Sequence, residues 1–161
     1  MTDQTAPAPL RPTTVAELRA LEGVALGPTE WYDITQERVD AFAELTEDRQ
    51  WIHVDPVRAA DSVLGSTIAH GLFTLGLGPK FMEELMAFDG FAHSLNYGYE
   101  KVRFPAPLPV GSRIRMHATI TAVDDVPGGA QVTTTQTFER EGADKPVCVA
   151  ASIGRFVEHQ A

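Results

Sequence analysis

The hydrophobic pattern changes its period near residue 90, and this change constrains the fold more than any other feature of the chain. Over residues 71–88 the apolar positions are almost continuous, which predicts a helix wrapped by other structure. Pro79 lies inside that stretch and removes one backbone donor, so we expect a kink near Leu75. Downstream, four segments alternate between apolar and polar residues and are predicted strands: 94–104, 113–123, 131–139 and 147–157. The pattern favours an α+β protein whose antiparallel sheet is wrapped around a central, mostly apolar helix.

Short elements precede the central helix. Thr35 is expected to cap a helix whose apolar face ends before Asp48, and Asp55 is expected to cap a second, shorter helix. The stretch between these two helices is too polar and too irregular to predict a regular element. It carries one carboxylate, Asp48, and one imidazole, His53, and both side chains can turn toward one cavity.

The length and the net charge of the chain limit the kinds of fold and partner that it can have. At 161 residues, with 43% hydrophobic and 22% charged residues, the chain is long enough to bury one core. We therefore expect a single domain over residues 14–161 and a flexible tail over residues 1–13. The net charge of −9, with scattered cations, argues against a nucleic-acid or membrane partner. The sequence has no apolar stretch of about 18 residues and no basic start followed by an apolar run, so we expect neither a transmembrane helix nor a secretory signal, and we expect the cytoplasm as the location.

The central helix begins with residues suited to hold an anion. Ala69-His70-Gly71 opens the apolar run, and the first N–H groups of a helix lack partners within it and carry partial positive charge. Where they face Asp48 and His53, an acid, a base and an anion hole lie together. His70 itself is expected to brace the helix start through hydrogen bonds rather than to react.

Two stretches resemble the MaoC-like hydratase family, whose (R)-specific enoyl-CoA hydratases carry a Gly-Asp-x-Asn-Pro-(aliphatic)-His signature followed by an Ala-His-Gly helix start. Residues 47–53 read Glu-Asp-Arg-Gln-Trp-Ile-His, and residues 68–72 read Ile-Ala-His-Gly-Leu. Residues 96–98 (Asn-Tyr-Gly) and 101–107 (Lys-Val-Arg-Phe-Pro-Ala-Pro) extend the likeness. This chain departs from the signature at three positions, with Glu47 in place of Gly, Gln50 in place of Asn and Trp51 in place of Pro. Its sequence here is closer to the nodulation-protein-N-like branch.

The resemblance implies a hot-dog fold, a homodimer and a hydro-lyase reaction. An (R)-specific enoyl-CoA hydratase adds water across the double bond of a trans-2-enoyl thioester and, in reverse, dehydrates a 3-hydroxyacyl-CoA. Asp48 and His53 would hold one water between them as the acid–base pair. The Gly71 N–H would stabilise the charge on the thioester oxygen, and glycine would leave room for the thioester. The other residues implied in substrate binding are His70, Gln50, Trp51, Asn96, Lys101 and Arg103.

Several alternatives stay open on the residues alone. Asp48 is also a common turn former, and His53 can be a half-buried structural histidine. The fold also suits an acyl-CoA thioesterase or a non-catalytic acyl-CoA binding module. No metal and no cofactor beyond the coenzyme A thioester substrate is expected, because the spacing of His53, Asp55 and His70 matches none of the strong zinc patterns. The sequence leaves open the acyl chain length and whether the carrier is coenzyme A or a carrier protein.

Overall fold

The computed structural model of the protein describes residues 8–159, and six helices lie within that range. The helices are α1 (Val15–Arg19), α2 (Gln36–Thr46), α3 (Trp51–Val54), α4 (Pro56–Ala60), α5 (Gly71–Gly76) and α6 (Gly78–Leu85). Two of the helix starts are capped as predicted. The Thr35 hydroxyl accepts from the Arg38 N–H at 3.3 Å, and the Asp55 carboxylate accepts from the Arg58 N–H at 3.0 Å. None of these helices, within residues 8–159, has the length and apolar character needed to cross a membrane.

Six strands of the described chain form one antiparallel sheet in the order β1-β4-β5-β6-β3, and β2 also pairs with β4. The strands are β1 (Ala25–Leu26), β2 (Tyr32–Asp33), β3 (His93–Arg103), β4 (Arg113–Val126), β5 (Gly129–Arg140) and β6 (Cys148–Val157). The four predicted strands correspond to β3, β4, β5 and β6. Val126 pairs with Gly129, so a tight turn joins β4 to β5, and Gly128 in that turn has a φ of 79° that favours glycine.

One face of the sheet packs on α5 and α6. Alternate residues of β4 are buried on this face: Ile114, Met116, Ala118 and Ile120. They share one core cluster with Phe81, Met82 and Leu85 of α6. The Phe81 ring meets the Phe138 ring of β5 edge-on, with centroids 6.0 Å apart. A mostly apolar helical segment thus lies against an antiparallel sheet, which confirms the predicted α+β hot-dog fold.

The central helical segment is broken, as Pro79 predicts, but at a different residue. Helix α5 ends at Gly76, and α6 begins at Gly78 with Pro79 in its first turn. A proline is tolerated there because the first N–H groups of a helix have no partner within it. The break therefore falls at Leu77, two residues beyond the predicted kink at Leu75, and it produces two helices rather than one bent helix.

The stretch after Asp48 contains a regular element that the sequence pattern does not predict. Trp51–Val54 forms the short helix α3, and the Asp55 N–H donates to the Trp51 carbonyl oxygen at 3.0 Å. Before it, Glu47 ends α2 in the left-handed conformation, with φ 62° and ψ 12°. This conformation favours glycine, the residue that the family signature carries here. The expectation of an irregular stretch is wrong for α3, because hydrogen bonds from other elements stabilise this single turn.

The predicted flexible tail, residues 1–13, is described only in part, since residues 1–7 lie outside the described residues. In the described part, Leu10 pairs with the end of α6. The Leu10 N–H donates to the Leu85 oxygen at 2.9 Å, and the Leu10 oxygen accepts from the Ala87 N–H at 2.7 Å. The flexibility of the tail and the extent of the single domain stay predictions.

Candidate active site

Helix α3 carries His53 and is held in place from two sides. The Ile68 N–H donates to the Ile52 oxygen at 3.0 Å. The Gln36 amide, in the first turn of α2, donates to the His53 backbone oxygen at 2.7 Å and accepts a hydrogen bond from the Thr67 hydroxyl. The backbone around His53 is therefore fixed by residues that are distant in sequence.

His53 is buried and is held in one tautomer. Its Nδ1 lies 2.6 Å from the Ile68 oxygen, and because a carbonyl oxygen only accepts, Nδ1 carries the proton and Nε2 keeps its lone pair. Burial lowers the pKa of His53, and neither the bond to Ile68 nor the charge of Asp48 offsets this lowering. A neutral imidazole with a free lone pair is the form that a general base requires.

The His70 ring lies face to face with the His53 ring. The two centroids are 3.7 Å apart and the planes are inclined by 23°, while the Phe42 ring contacts His70 at a centroid distance of 4.9 Å. His70 Nε2 lies 2.9 Å from the Asp48 backbone oxygen and therefore donates to it. The side chain makes no capping hydrogen bond at the start of α5. The hydrogen bond of His70 thus joins the residue before α5 to the Asp48 segment and not to the first turn of the helix, and the bracing role of His70 stays a prediction.

Asp48 lies beside these two buried imidazoles, and its side chain is 56% exposed. One carboxylate oxygen is 4.0 Å from His70 Nε2. A polar atom from each of Asp48, His53 and His70 lies within 4.8 Å of the other two. Because two hydrogen bonds of about 2.8 Å can span that separation, one water can contact both the carboxylate and an imidazole. The fold thus brings together the two residues that the sequence analysis selects as an acid–base pair.

The same three residues are poorly arranged to share a metal ion. A metal bonded at about 2.0–2.1 Å lies near the plane of each imidazole that binds it, whereas the two rings are stacked with centroids 3.7 Å apart. In addition, His53 Nδ1 and His70 Nε2 are each hydrogen bonded to a carbonyl oxygen. The expectation that the site takes no metal stays a prediction, and this geometry favours it.

Gly71 begins α5, as predicted, and the Phe104 ring covers its α-carbon. A Cβ placed on Gly71 would lie 3.0 Å from three carbons of that ring, whereas ordinary carbon contacts are about 3.5–4.0 Å. The space beside Gly71, which the sequence analysis reserves for the thioester, is occupied by an aromatic ring. The Gly71 N–H still lacks a partner within the helix, because it belongs to the first turn.

A cavity of about 110 Å³ lies between α6 and the strands β3, β5 and β6. Met82 and Met86 form part of its apolar wall, and Gln136 contributes a polar side chain. Gln136 is 5% exposed, and its Oε1 has no hydrogen-bond partner within residues 8–159. Asn96, one of the predicted binding residues, also lines the cavity and donates to the Tyr99 hydroxyl at 3.2 Å. The cavity therefore combines apolar walls with amide groups.

The remaining predicted site residues lie nearer the surface. Gln50 precedes α3 and is exposed, and Trp51 is half-buried with the Arg58 guanidinium 4.3 Å from its ring centroid. Lys101 and Arg103 are exposed on β3 and do not line the cavity. The roles of these four residues in substrate binding stay predictions.

Three residues that the sequence analysis does not select also shape the site. Gln36 holds the His53 backbone, Phe42 packs on His70, and Phe104 covers Gly71. Phe104 carries a usable signal, because it lies in the stretch 101–107 that extends the family likeness. Phe42 reads only as part of an apolar helix face, and no spacing rule pairs Gln36 with His53. Both contacts arise from packing between helices.

An antiparallel sheet packed on a mostly apolar helical segment defines a hot-dog protein, and in this protein a carboxylate lies beside two buried imidazoles. The family model described as MaoC like domain matches residues 19–141. The chain belongs to the MaoC-like dehydratase family, and membership of this family supports a hydro-lyase.

Relatives of the chain agree with this family. The chain is 49% identical over 145 residues to 3-hydroxyacyl-thioester dehydratase Z of Mycobacterium tuberculosis (strain ATCC 25618 / H37Rv), which covers 89% of this chain and 96% of that protein. It is 37% identical over 147 residues to Nodulation protein N of Rhizobium leguminosarum bv. viciae, covering 85% and 87% of the two chains. The solved R-hydratase PhaJ1 from Pseudomonas aeruginosa has a similar fold, with a TM-score of 0.73 at 20% identity over 91% of this chain and 87% of that one. The predicted family and its nodulation-protein-N-like branch are confirmed.

Proposed function

We propose that the protein is an (R)-specific enoyl-CoA hydratase that also acts in reverse as a 3-hydroxyacyl-CoA dehydratase. The family supports a hydro-lyase, and the Mycobacterium tuberculosis relative is named as a dehydratase of a 3-hydroxyacyl thioester. The observation that carries the proposal is the convergence of Asp48 and His53, which have polar atoms within 4.8 Å of each other.

The proposed reaction adds one water across a carbon–carbon double bond. The water oxygen bonds to C3 while His53 Nε2 takes one of its protons, and the electron pair of the double bond moves toward the thioester oxygen. The acid–base pair then returns a proton to C2, so the product differs from the enoyl thioester by one water. Positioned general acid–base groups typically contribute about 10²–10⁴-fold in rate. The reaction needs no oxidant or reductant.

The thioester is proposed to bind with its oxygen at the Gly71 N–H, where one such donor is typically worth about 10²–10³-fold in rate. The far part of the acyl chain is proposed to enter the cavity beside α6, because Met82 and Met86 give that cavity an apolar wall. Met82 lies roughly 16 Å from Gly71 along the helical segments, at about 1.5 Å per residue. Lys101 and Arg103, two exposed cations on β3, are proposed to meet the phosphates of the carrier.

A homodimer is proposed through the free edge of β3. This strand pairs with β6 on one side and has no neighbour on its other side within the described chain. Leu95 and Tyr97 on it are 52% and 58% exposed. A long edge strand with exposed apolar side chains offers unpaired backbone groups to a second copy. Sedimentation of the wild-type protein and of Leu95→Lys tests this contact, and a dimer that the substitution leaves intact would place the interface elsewhere.

Hydration of crotonyl-CoA tests the proposed reaction. Loss of the conjugated-enoyl absorbance reports addition across the double bond. Asp48→Asn and His53→Ala are each expected to lower the rate by at least about 10²-fold, whereas His159→Ala, which alters an exposed histidine outside the site, is expected to leave it unchanged. Activity that persists in both site variants would remove Asp48 and His53 from the mechanism.

The same substrate separates the other activities that the fold suits. A thiol-trapping reagent detects free coenzyme A, and its release from crotonyl-CoA would identify a thioesterase instead of a hydratase. Binding of crotonyl-CoA without either reaction would identify a non-catalytic acyl-CoA binding module. A series of enoyl-CoA lengths then measures which acyl chains the protein accepts.

A further inference from the structure

We infer that His70 is a positioning residue that holds Asp48 against His53. The inference rests on the proposed function. It concerns a residue to which the proposed reaction assigns no proton transfer. The His70 side chain is 3% exposed and contacts both members of the pair. Its Nε2–H donates to the Asp48 backbone oxygen at 2.9 Å, and its ring is stacked on His53 with centroids 3.7 Å apart. One buried ring therefore joins two residues that belong to different segments.

One hydrogen bond fixes the orientation of the His70 ring. Nε2 carries a proton because its partner is a carbonyl oxygen. Nδ1 is buried and has no hydrogen-bond partner within residues 8–159. His70 therefore contacts the site through one donated hydrogen bond and through ring packing, and its role in the site is geometric.

Asp48 depends on this contact because it lies in a short connection rather than in a regular element. It falls between the end of α2 at Thr46 and the start of α3 at Trp51, and its side chain is 56% exposed. The Phe42 ring also packs on His70, at a centroid distance of 4.9 Å. The imidazole contacts both the Phe42 ring and the His53 ring, and these contacts limit its rotation while Nε2 donates to Asp48.

Two substitutions separate the hydrogen bond from the ring packing. His70→Phe keeps a flat ring in contact with Phe42 and His53 and removes the donor to Asp48. His70→Gln places an amide donor near the position of Nε2 and removes the ring. A displacement of about 1 Å in a catalytic group can cost about 10²-fold in rate. For crotonyl-CoA hydration we therefore expect kcat to fall about 10- to 100-fold in His70→Phe with little change in KM, and most of the wild-type kcat to return in His70→Gln.

The opposite order would overturn the inference. If His70→Gln loses more activity than His70→Phe, ring packing rather than the hydrogen bond governs the site. If kcat falls in both variants in step with Tm, the role of His70 is only structural.

Hydrogen–deuterium exchange supplies a readout that does not depend on catalysis. In His70→Phe, the amides of residues 47–50 are expected to exchange faster than in the wild-type protein, while those of α6 are unchanged. His70→Gln is expected to restore the exchange rates of the wild-type protein. Unchanged exchange over residues 47–50 in His70→Phe would also overturn the inference. If the wild-type protein fails to hydrate crotonyl-CoA while exchange responds as expected, the proposed function fails and the positioning of Asp48 by His70 stands.

Discussion

Replacing Gly71 by alanine tests whether the chain needs glycine there because of Phe104 rather than because of a substrate. The added Cβ would lie 3.0 Å from Cδ2, Cε1 and Cε2 of the Phe104 ring. Since an unstrained carbon contact is about 3.5–4.0 Å, the ring must retreat by roughly 0.5–1 Å. Overpacking of this kind costs about 1–3 kcal/mol. Phe104 is 44% exposed and has room to move, so we expect the lower half of that range.

Helix propensity acts in the opposite direction and hides part of this cost. Alanine is favoured over glycine inside a helix by roughly 0.5–1 kcal/mol, so Gly71→Ala alone is expected to change the free energy of unfolding only slightly. In a Phe104→Ala background the clash is absent, and the same substitution is expected to stabilise the protein. The coupling free energy between the two positions should therefore be about 1–2 kcal/mol.

Urea unfolding of the wild-type protein, both single variants and the double variant measures this coupling. Independent sites add to within about 0.3–0.5 kcal/mol, so a coupling of the expected size is resolved. Gly78→Ala is a matched control, because its Cβ would meet the Gln136 Oε1 at 2.9 Å and not Phe104. Its effect should be the same with and without Phe104. Additive effects of Gly71→Ala and Phe104→Ala would refute the argument from contact.

Three further predictions follow from the site and its surroundings. Because burial lowers the pKa of His53 from its ordinary value of 6.5, the acidic limb of kcat/KM should lie below pH 6.5. The free energy of unfolding should also decrease as the pH is lowered below 6.5, since the unfolded chain takes up the His53 proton more readily than the folded chain. An acidic limb of kcat/KM above pH 6.5, or a free energy of unfolding that does not decrease, would contradict the lowered pKa of His53. Glu47→Gly should raise stability by about 0.5–1 kcal/mol, because relief of a left-handed cost of about 1–2 kcal/mol exceeds the added freedom of glycine. Thermal melting checks this, with Ala41→Gly inside α2 expected to destabilise, and a lower Tm in Glu47→Gly counts against it. Met82→Val should raise kcat/KM for tetradecenoyl-CoA, whose chain is long enough to reach Met82, relative to crotonyl-CoA by about 10-fold. Met116→Val, at a buried position outside the cavity, should leave that ratio unchanged. Equal effects of the two substitutions would show that the acyl chain does not bind in the cavity.

The elements that are predictable from sequence depend on neighbours along the chain. Thr35 and Asp55 cap helices through bonds to N–H groups three residues ahead, so residue type and position are enough to place them. Helix α3 is not predictable in this way. It is a single turn, and Gln36 and Ile68 stabilise it from other segments. An isolated turn of that length has too few hydrogen bonds to form by itself.

The amino-acid sequence determines the order of one apolar helical segment and four alternating strands, together with a carboxylate and an imidazole at family spacing. These features are fixed locally, because hydrophobic periods depend on residues two to four positions apart. The tertiary structure alone decides what surrounds that pair. It stacks His70 on His53, directs the His70 donor to Asp48 and lays Phe104 over Gly71. It also selects the His53 tautomer, since the acceptor at Nδ1 is the Ile68 oxygen, which reaches the ring only when distant segments pack together.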